Sequence, residues 1–307
     1  MDKLEFPDIT CSFPVGINSY AQEVHIITKR WGEELGLFQF SQLDSDVFDT
    51  IKSGYFSARL FPQASFAPLI MISKYNLLIF VLEDYLEKNR NNSKAYNLVK
   101  QMVQIMEGKL SQLSHKNAYL LAWAQWWEKT KKMTPYQWQN RFAKNIQAYL
   151  YNKIWKMESQ QNDIIGFEVD EDLSYNQNQE KNFHYFDLIE MANTVYLPEK
   201  LINNTFIELK TNVSAIINLT NDIISLKKEL IASDIDNILL SLHQNQTFIQ
   251  EVINDTVELQ NLYIEEFTRL ERELLKNEKI YQREYKTYSL GLQSVIRGNQ
   301  DWYNISN

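Results

Sequence analysis

Cysteine, glycine and proline are scarce in this chain of 307 residues. There is one cysteine, Cys11, together with 8 glycines and 6 prolines. A single cysteine excludes an intrachain disulfide framework and is typical of a reducing compartment, so we expect a cytoplasmic protein. So few glycines and prolines leave little material for the turns of a β-rich architecture, which favours an all-α fold.

A surplus of positive charge is also missing. The chain has 31 Lys and Arg against 39 Asp and Glu, a formal net charge of −8, and no long basic run. This balance disfavours binding to nucleic acid or to an anionic membrane surface. No unbroken apolar run has transmembrane length, and the opening MDKLEFPDITCSFPVG lacks the apolar core of a signal peptide. We therefore expect no nucleic-acid partner and no stable membrane insertion.

Apolar residues recur at spacings of three and four along most of the chain. The pattern runs from Ile17 to Trp138, is interrupted by a stretch rich in Asn and Gln from Met157 to Tyr185, and then continues to Tyr288. It predicts consecutive amphipathic helices, one of which would begin at Pro198. The polar stretch would suit a domain linker, but the same pattern lies on both sides. We therefore predict a single helical domain over residues 1–307.

An acidic cluster follows one of the most apolar segments. In FVLEDYLEKN, Glu83 and Glu87 share a helical face, and Asp84 lies beside them. Neighbouring carboxylates repel one another unless a cation lies between them, and Mg²⁺ prefers such oxygen ligands. A solvated acidic helix end would have the same composition. The cluster alone leaves both interpretations open.

A second polar stripe occurs in NLTNDIISLKKE. Asn221, Ser225 and Glu229 stand four residues apart, on nearly one line of a helix and about 12 Å from end to end. Their carbonyl, hydroxyl and carboxylate oxygens suit Mg²⁺, and Lys228 offers a point charge to a phosphate. The alternative is an ordinary polar face. A buried stripe without a ligand would leave groups unsatisfied at about 1–3 kcal/mol each, which favours the metal site.

Together the two motifs resemble those of class I terpene synthases of the bacterial, especially cyanobacterial, type. That family carries D-D-x-x-D/E, for which this chain has EDYLE, and N-D-x-x-S-x-x-x-E, which NDIISLKKE matches at every defined place. FPDITCSFPVGINSYAQEV, ARLFP and RGNQDW also resemble family segments. The resemblance implies an all-α, single-domain helical bundle around an aromatic-lined pocket.

The resemblance also implies a cofactor and a substrate. Three Mg²⁺ ions would bind the diphosphate of a linear isoprenyl substrate, with farnesyl diphosphate as the first expectation and geranyl or geranylgeranyl diphosphate as alternatives. The protein would act as a monomer or homodimer. The pocket walls would be aromatic side chains, which stabilise a carbocation through their ring faces. The candidates are Phe56, Phe61, Phe80, Trp123, Trp127, Phe186 and Trp302.

Three departures from the family pattern stand out. Glu83 replaces the first aspartate, which lengthens that ligand arm by one methylene. Tyr175 stands where the family has its diphosphate-sensing arginine, and Lys181 is the nearest cation that would replace it. No arginine lies between Arg141 and Arg269. The chain ends five residues after Trp302, where an Arg-Tyr pair would begin.

The alternatives come from other classes of protein. A chain-elongating prenyltransferase would need two aspartate-rich motifs. The four histidines and Cys11 offer no nucleophilic dyad, and no Gly-rich phosphate loop occurs. Two other functions stay open. One is a terpene-synthase homologue that binds prenyl diphosphate without turnover, and the other is a helical interaction protein that uses the segment from Ile235 to Tyr288.

Overall fold

The structure, a computed structural model, describes residues 11–41, 48–49, 52–89, 93–110, 117–161, 182–232, 249–277 and 279–306. For residues 156–161, 225–232, 277 and 303–306 it describes the backbone alone. The predicted all-α fold is confirmed, since these residues form helices and no strand. The α-helices are α1 (Ala21–Glu34), α2 (Leu37–Ser41), α3 (Ser53–Leu60), α4 (Phe66–Lys88), α5 (Ser93–Met106), α6 (Ala118–Lys131), α7 (Tyr136–Gln161), α8 (Phe183–Asn193), α9 (Asn204–Ala232), α10 (Ile249–Asn277) and α11 (Gln282–Ser306).

The helices divide between two compact units. The amino-terminal unit, Gly16–Glu199, contains α1 to α8, and the carboxy-terminal unit combines Met1–Val15 with Lys200–Asn307 and contains α9 to α11. The single domain over residues 1–307 stays a prediction.

Helix α4 is the central apolar element of the amino-terminal unit. Its 18-residue window of highest hydropathy is long and apolar enough to cross a membrane by length and composition, but 67% of that window is buried inside the protein. Leu69, Ile72 and Leu77 are fully buried against neighbouring helices. Such burial is typical of the core helix of a soluble protein, so the apolar run is weak evidence for a membrane span.

Side chains of asparagine mark two helix starts. The Asn117 side chain accepts a hydrogen bond from the backbone N–H of Leu120 at 3.0 Å and caps α6. Asn203 does the same for Phe206 at 3.0 Å, just before α9. Each cap satisfies one of the backbone N–H groups that a first turn leaves without a partner. The prediction that a helix begins at Pro198 was wrong for the α-helix, because only a short 3₁₀-helix, Glu199–Leu201, follows this proline and α9 begins at Asn204.

Helices α1 and α3 approach each other closely at Gly54. A Cβ atom on this residue would lie 2.4 Å from the Cα of His25. Real Cβ contacts do not reach that distance, so only glycine permits this helix crossing.

A column of aromatic rings joins α6 to α7 inside the amino-terminal unit. Trp123 lies 5.4 Å from Trp126, centroid to centroid, and Trp126 stacks on Trp127 at 6.1 Å. Trp127 in turn stacks on Phe142 at 6.0 Å, and Phe142 stacks on Trp138 at 4.8 Å. Three indole N–H groups of the column donate to backbone carbonyls: Trp126 to Met71 at 2.9 Å, Trp123 to Met102 at 3.3 Å and Trp138 to Asp187 at 2.8 Å. The rings supply a large buried apolar area, and among the described residues the buried Trp127 N–H has no hydrogen-bond partner.

The carboxy-terminal unit holds the segment before α1 against α11. The Cys11 thiol donates to the Gln300 side-chain oxygen at 3.2 Å, and Arg297 donates to the Cys11 carbonyl at 3.1 Å. Phe13 makes an edge-to-face contact with Phe267 at 5.4 Å. The amphipathic stretch predicted to continue to Tyr288 includes α10, which ends at Asn277, and the start of α11, which begins at Gln282.

Candidate active site

The predicted acidic cluster lies in the last two turns of α4. Leu82 and Leu86 are buried and hold the helix in the core, whereas Glu83 and Asp84 are half-buried and Glu87 is exposed. The helical geometry places Glu83 and Glu87 on one face, as predicted. The cluster therefore lies at the boundary between core and solvent, where carboxylates remain accessible to ions.

Glu83 is bound to two side chains of α7. Its Oε1 atom accepts hydrogen bonds from the Tyr149 hydroxyl and from the Lys153 ammonium, each at 2.7 Å. Burial by itself raises the pKa of Glu83, but the charge and hydrogen bond of Lys153 and the hydrogen bond of Tyr149 outweigh it, so the pKa lies below its ordinary value. Glu83 is consequently a carboxylate at neutral pH, as a metal ligand has to be.

Asp84 also has an ammonium partner. Lys88 donates to Asp84 Oδ2 at 2.8 Å and to the backbone carbonyl of Ser41 at 3.0 Å. The pair lies one helical turn apart on a partly exposed face, where such contacts contribute little to stability. Its effect is to orient the carboxylate at the end of α4.

The second motif lies on α9. This helix is continuous over Asn204–Ala232, so Asn221, Ser225 and Glu229 follow one another at single-turn spacing, as predicted. Asn221 Oδ1 accepts a hydrogen bond from Asn299 of α11 at 2.9 Å. The side chains of Ser225, Lys228 and Glu229 lie outside the described residues, as do Tyr175 and Lys181 altogether.

The donor chemistry of these residues fits Mg²⁺. Glu83 and Asp84 of the amino-terminal unit carry carboxylate oxygens, and Asn221 of the carboxy-terminal unit carries an amide oxygen. Both are hard oxygen donors of the kind that Mg²⁺ prefers. In the part of the chain that the structure describes, no three His, Cys, Asp or Glu side chains converge as a closed metal cage. Mg²⁺ characteristically uses one or two carboxylates and completes its shell with water and substrate phosphates, so it does not require a closed protein cage in either unit.

The predicted wall aromatics are found in the core of their units. Phe56 and Phe80 face each other with ring centroids 5.7 Å apart, and Phe80 is the half-buried member of the set. Trp123 and Trp127 belong to the aromatic column between α6 and α7. The buried members are Phe56, Phe61, Trp123, Trp127, Phe186 and Trp302. Their role as pocket walls stays a prediction, because burial alone is shared by all core aromatics.

A buried ionic cluster joins α7 to α8, and the sequence analysis did not foresee it. Arg141 donates from Nε to Asp187 Oδ1 at 2.9 Å and from Nη2 to Glu190 Oε1. Asn145 donates to the other oxygen of Asp187 at 2.6 Å, and the backbone N–H of Leu197 donates to Glu190 at 2.9 Å. Asp187 and Glu190 are 1% and 2% exposed, so one guanidinium faces two buried carboxylates.

The charge imbalance acts on Glu190. Burial raises the pKa of Glu190 to about 7, because it outweighs the attraction of Arg141, and the neighbouring Asp187 charge adds to the rise. The hydrogen bonds from Arg141 to Asp187 and Glu190 connect α7 to α8. Arg141, the last arginine before the long arginine-free stretch, pairs with Asp187 and Glu190 inside this cluster.

Comparison with known proteins decides the family. Residues 74–266, which include both motifs, match the family described as terpene synthase family 2, C-terminal metal binding. The chain belongs to this family. It is a terpene synthase, and the matched region is the metal-binding part of such enzymes.

Curated relatives and solved structures agree with this assignment. The chain is 23% identical over 253 residues to 10-epi-cubebol synthase of Sorangium cellulosum, covering 80% of this chain and 79% of that one. It is 21% identical over 311 residues to germacrene A synthase of Nostoc punctiforme, covering 98% and 94%. Among solved structures, linalool/nerolidol synthase from Streptomyces clavuligerus in complex with 2-fluorogeranyl diphosphate superposes with a TM-score of 0.82 at 17% identity, over 96% of this chain and 98% of that one. This terpene synthase therefore shares the class I fold.

Three residues of this terpene synthase contact the two motifs but were not identified in the sequence analysis. Tyr149 and Lys153 reach Glu83 from α7, and Asn299 reaches Asn221 from α11. Only Asn299 carried a signal, since it lies in the segment RGNQDW that resembles the last helix of the family. Lys153 and Tyr149 lie one turn apart on α7. The spacing of apolar residues in this helix does not indicate that these two side chains contact Glu83.

Proposed function

We propose that this terpene synthase uses Mg²⁺ to ionise a linear prenyl diphosphate, with farnesyl diphosphate as the preferred substrate. The observation that carries the proposal is the single-turn spacing of Asn221, Ser225 and Glu229 on one uninterrupted helix, inside the region that matches the metal-binding part of the family. The relatives named for fifteen-carbon products and the neighbour solved with a geranyl diphosphate analogue support the substrate class.

The residues divide into two ligand groups. Glu83, Asp84 and Glu87 hold one group of Mg²⁺ ions, and Asn221, Ser225 and Glu229 hold another, three ions in total. When bound, Mg²⁺ supplies the positive charge that draws electrons toward the diphosphate leaving group and favours its departure. Lys228 holds diphosphate oxygens, and Tyr175 or Lys181 contacts the diphosphate where relatives use arginine. The ionisation of Glu83 and the orientation of Asn221 by Asn299 support this role.

Departure of diphosphate leaves an allylic carbocation. Aromatic side chains, with Phe56, Phe61, Phe80, Phe186 and Trp302 as candidates, exclude water and stabilise the positive charge by their ring faces. The cation then cyclises, loses a proton or takes up water, and the products are a terpene hydrocarbon or alcohol and inorganic diphosphate.

The test is incubation of the purified protein with geranyl, farnesyl or geranylgeranyl diphosphate and Mg²⁺, followed by gas chromatography of extracted products. We expect a fifteen-carbon product from farnesyl diphosphate that disappears with EDTA. Asp84→Asn should reduce turnover at least about a hundredfold, since it removes a ligand charge. The matched control is Asp255→Asn on the exposed face of α10, which should retain full activity. Absence of product from all three substrates would refute the proposal.

The second candidate is a prenyl-diphosphate binder without turnover. It is favoured by the engagement of Arg141 in the buried cluster, which leaves it unable to serve as the diphosphate sensor. Calorimetry with farnesyl diphosphate and Mg²⁺ separates the two functions. Tight binding without product or released diphosphate would support the binder.

A further inference from the structure

The Oε1 atom of Glu83 is saturated with hydrogen bonds. A carboxylate oxygen has two lone-pair directions, and here the Tyr149 hydroxyl takes one while the Lys153 ammonium takes the other, both at 2.7 Å. A Mg²⁺ ion binds such an oxygen at about 2.0–2.1 Å along one of these same directions. An ion that uses Oε1 therefore has to displace one of the two donors.

Electrostatics decides which donor leaves. Tyr149 is neutral and buried, and its ring lies against that of His184 with centroids 4.5 Å apart. Because the Tyr149 hydroxyl carries no charge, it is compatible with a dication close by. Lys153 carries a full positive charge and is about two-fifths exposed, at 41%. A dication would repel the ammonium, and the partly exposed side chain has solvent to move into.

Lys153 is nevertheless held firmly beside Glu83. Its Nζ atom lies 5.6 Å from the centroid of the Tyr149 ring, one turn earlier on α7. The cation–π contact and the charge-assisted hydrogen bond act on the same ammonium group. Lys153 thus occupies a defined position and is not a freely rotating surface lysine.

We propose that Lys153 competes with Mg²⁺ for Glu83, so that loading of the first metal motif requires displacement of the Lys153 ammonium. The inference rests on the proposed Mg²⁺-dependent function and deepens it, since it names the residue that sets the Mg²⁺ requirement. Lys153 is a positioning residue in this role. It keeps the carboxylate turned toward α7 and raises the Mg²⁺ concentration at which the motif fills.

The test replaces the ammonium by an uncharged side chain of similar length. Melting temperature is measured while MgCl₂ is raised at a fixed saturating concentration of inorganic diphosphate, for wild type and Lys153→Met. The variant should reach its half-maximal shift at a Mg²⁺ concentration at least about tenfold lower, because the positive charge that opposes the dication at Glu83 is removed. Lys153→Arg, which keeps the charge, should behave like wild type.

Two controls exclude general effects. Lys144→Met removes the same charge from an exposed position of α7 two and a half turns away, on the opposite side of the helix, and should leave the Mg²⁺ midpoint unchanged. In a Glu83→Gln background, Lys153→Met should also have no effect, since the competition acts through the Glu83 carboxylate.

The outcomes separate this inference from the proposed function. An unchanged or higher Mg²⁺ midpoint in Lys153→Met, or no response to Mg²⁺ in either protein, overturns the inference. Product analysis on the same preparations tests turnover independently. Turnover with an unshifted midpoint refutes the competition alone, whereas a shifted midpoint without product refutes the proposed turnover alone.

Discussion

Asn299 of α11 donates its side-chain amide to Oδ1 of Asn221, the first residue of the second motif, at 2.9 Å. A carbonyl oxygen has two lone-pair directions, so this bond fixes the orientation of Asn221 and leaves one direction for a cation. Asn299 is buried and neutral, and in these respects it differs from Lys153 at the first motif. The same type of contact therefore supports one motif and opposes metal binding at the other.

Removal of this orienting bond should weaken metal binding. We expect Asn299→Ala to raise the Mg²⁺ concentration for half-maximal turnover about tenfold, because outer partners of metal ligands typically contribute factors of ten to a hundred. Steady-state rates measured across a MgCl₂ series give this value. Ser294→Ala is the control, since that hydroxyl donates to the Leu290 carbonyl of its own helix. Equal Mg²⁺ requirements in the two variants would contradict the assigned role.

The buried cluster of Arg141, Asp187 and Glu190 predicts a large loss of stability when the guanidinium is removed. Arg141→Met leaves Asp187 and Glu190 without their guanidinium partner in a site that excludes water. We expect the free energy of unfolding to fall by about 3–5 kcal/mol. Arg30→Met breaks an exposed pair with Glu34 and should change it by less than about 1 kcal/mol. Urea denaturation followed by circular dichroism measures both, and similar losses would disprove the distinction.

Stability should also depend on pH through Glu190. The pKa of Glu190 is raised from its ordinary 4.5 to about 7 in the folded protein, so the folded state binds the proton more tightly than the unfolded state. The stabilisation is therefore complete below pH 4.5 and is lost as pH rises through 7, by about 3 kcal/mol in total.

Glu190→Gln isolates this dependence. Glutamine keeps an oxygen for Arg141 but does not titrate, so the difference in unfolding free energy between wild type and variant should change across pH 5–8. Urea midpoints measured at each pH supply that difference. A constant difference over this range would show that Glu190 does not titrate there.

The close crossing of α1 and α3 predicts a steric penalty at Gly54. In Gly54→Ala the new methyl group would meet the backbone of His25 at 2.4 Å, which forces the helices apart. We expect a loss of at least about 2 kcal/mol. Gly32→Ala is the matched change, since its methyl group meets side-chain atoms of Leu77 and Phe38 at 2.9 Å and beyond, and these yield more easily. Thermal unfolding should therefore show a much smaller loss for Gly32→Ala.

The helical fold and the placement of both motifs were predictable because they depend on local spacing. Four-residue intervals put Glu83 and Glu87 on one face of α4, and put Asn221 and Ser225 on one line of α9, whatever the rest of the chain does.

The partners of these residues were not predictable, since they come from distant parts of the chain. Tyr149 reaches Glu83 across 66 positions and Asn299 reaches Asn221 across 78. Arg141 is separated from Asp187 by 46 positions, and nothing in the local sequence distinguishes it from a surface arginine. Pro198 shows the limit of local signals as well, because it favours a helix start but a 3₁₀-helix intervenes before α9.

The ring column between α6 and α7 is an intrinsic spectroscopic probe of the amino-terminal unit. Four indoles, those of Trp123, Trp126, Trp127 and Trp138, share one stack with Phe142. Light absorbed by one indole passes to its neighbours over these few ångströms, so their emission reports the stack as a whole. Near-ultraviolet dichroism of the native chain will consequently carry the signature of coupled chromophores, and it will vanish when the two helices separate.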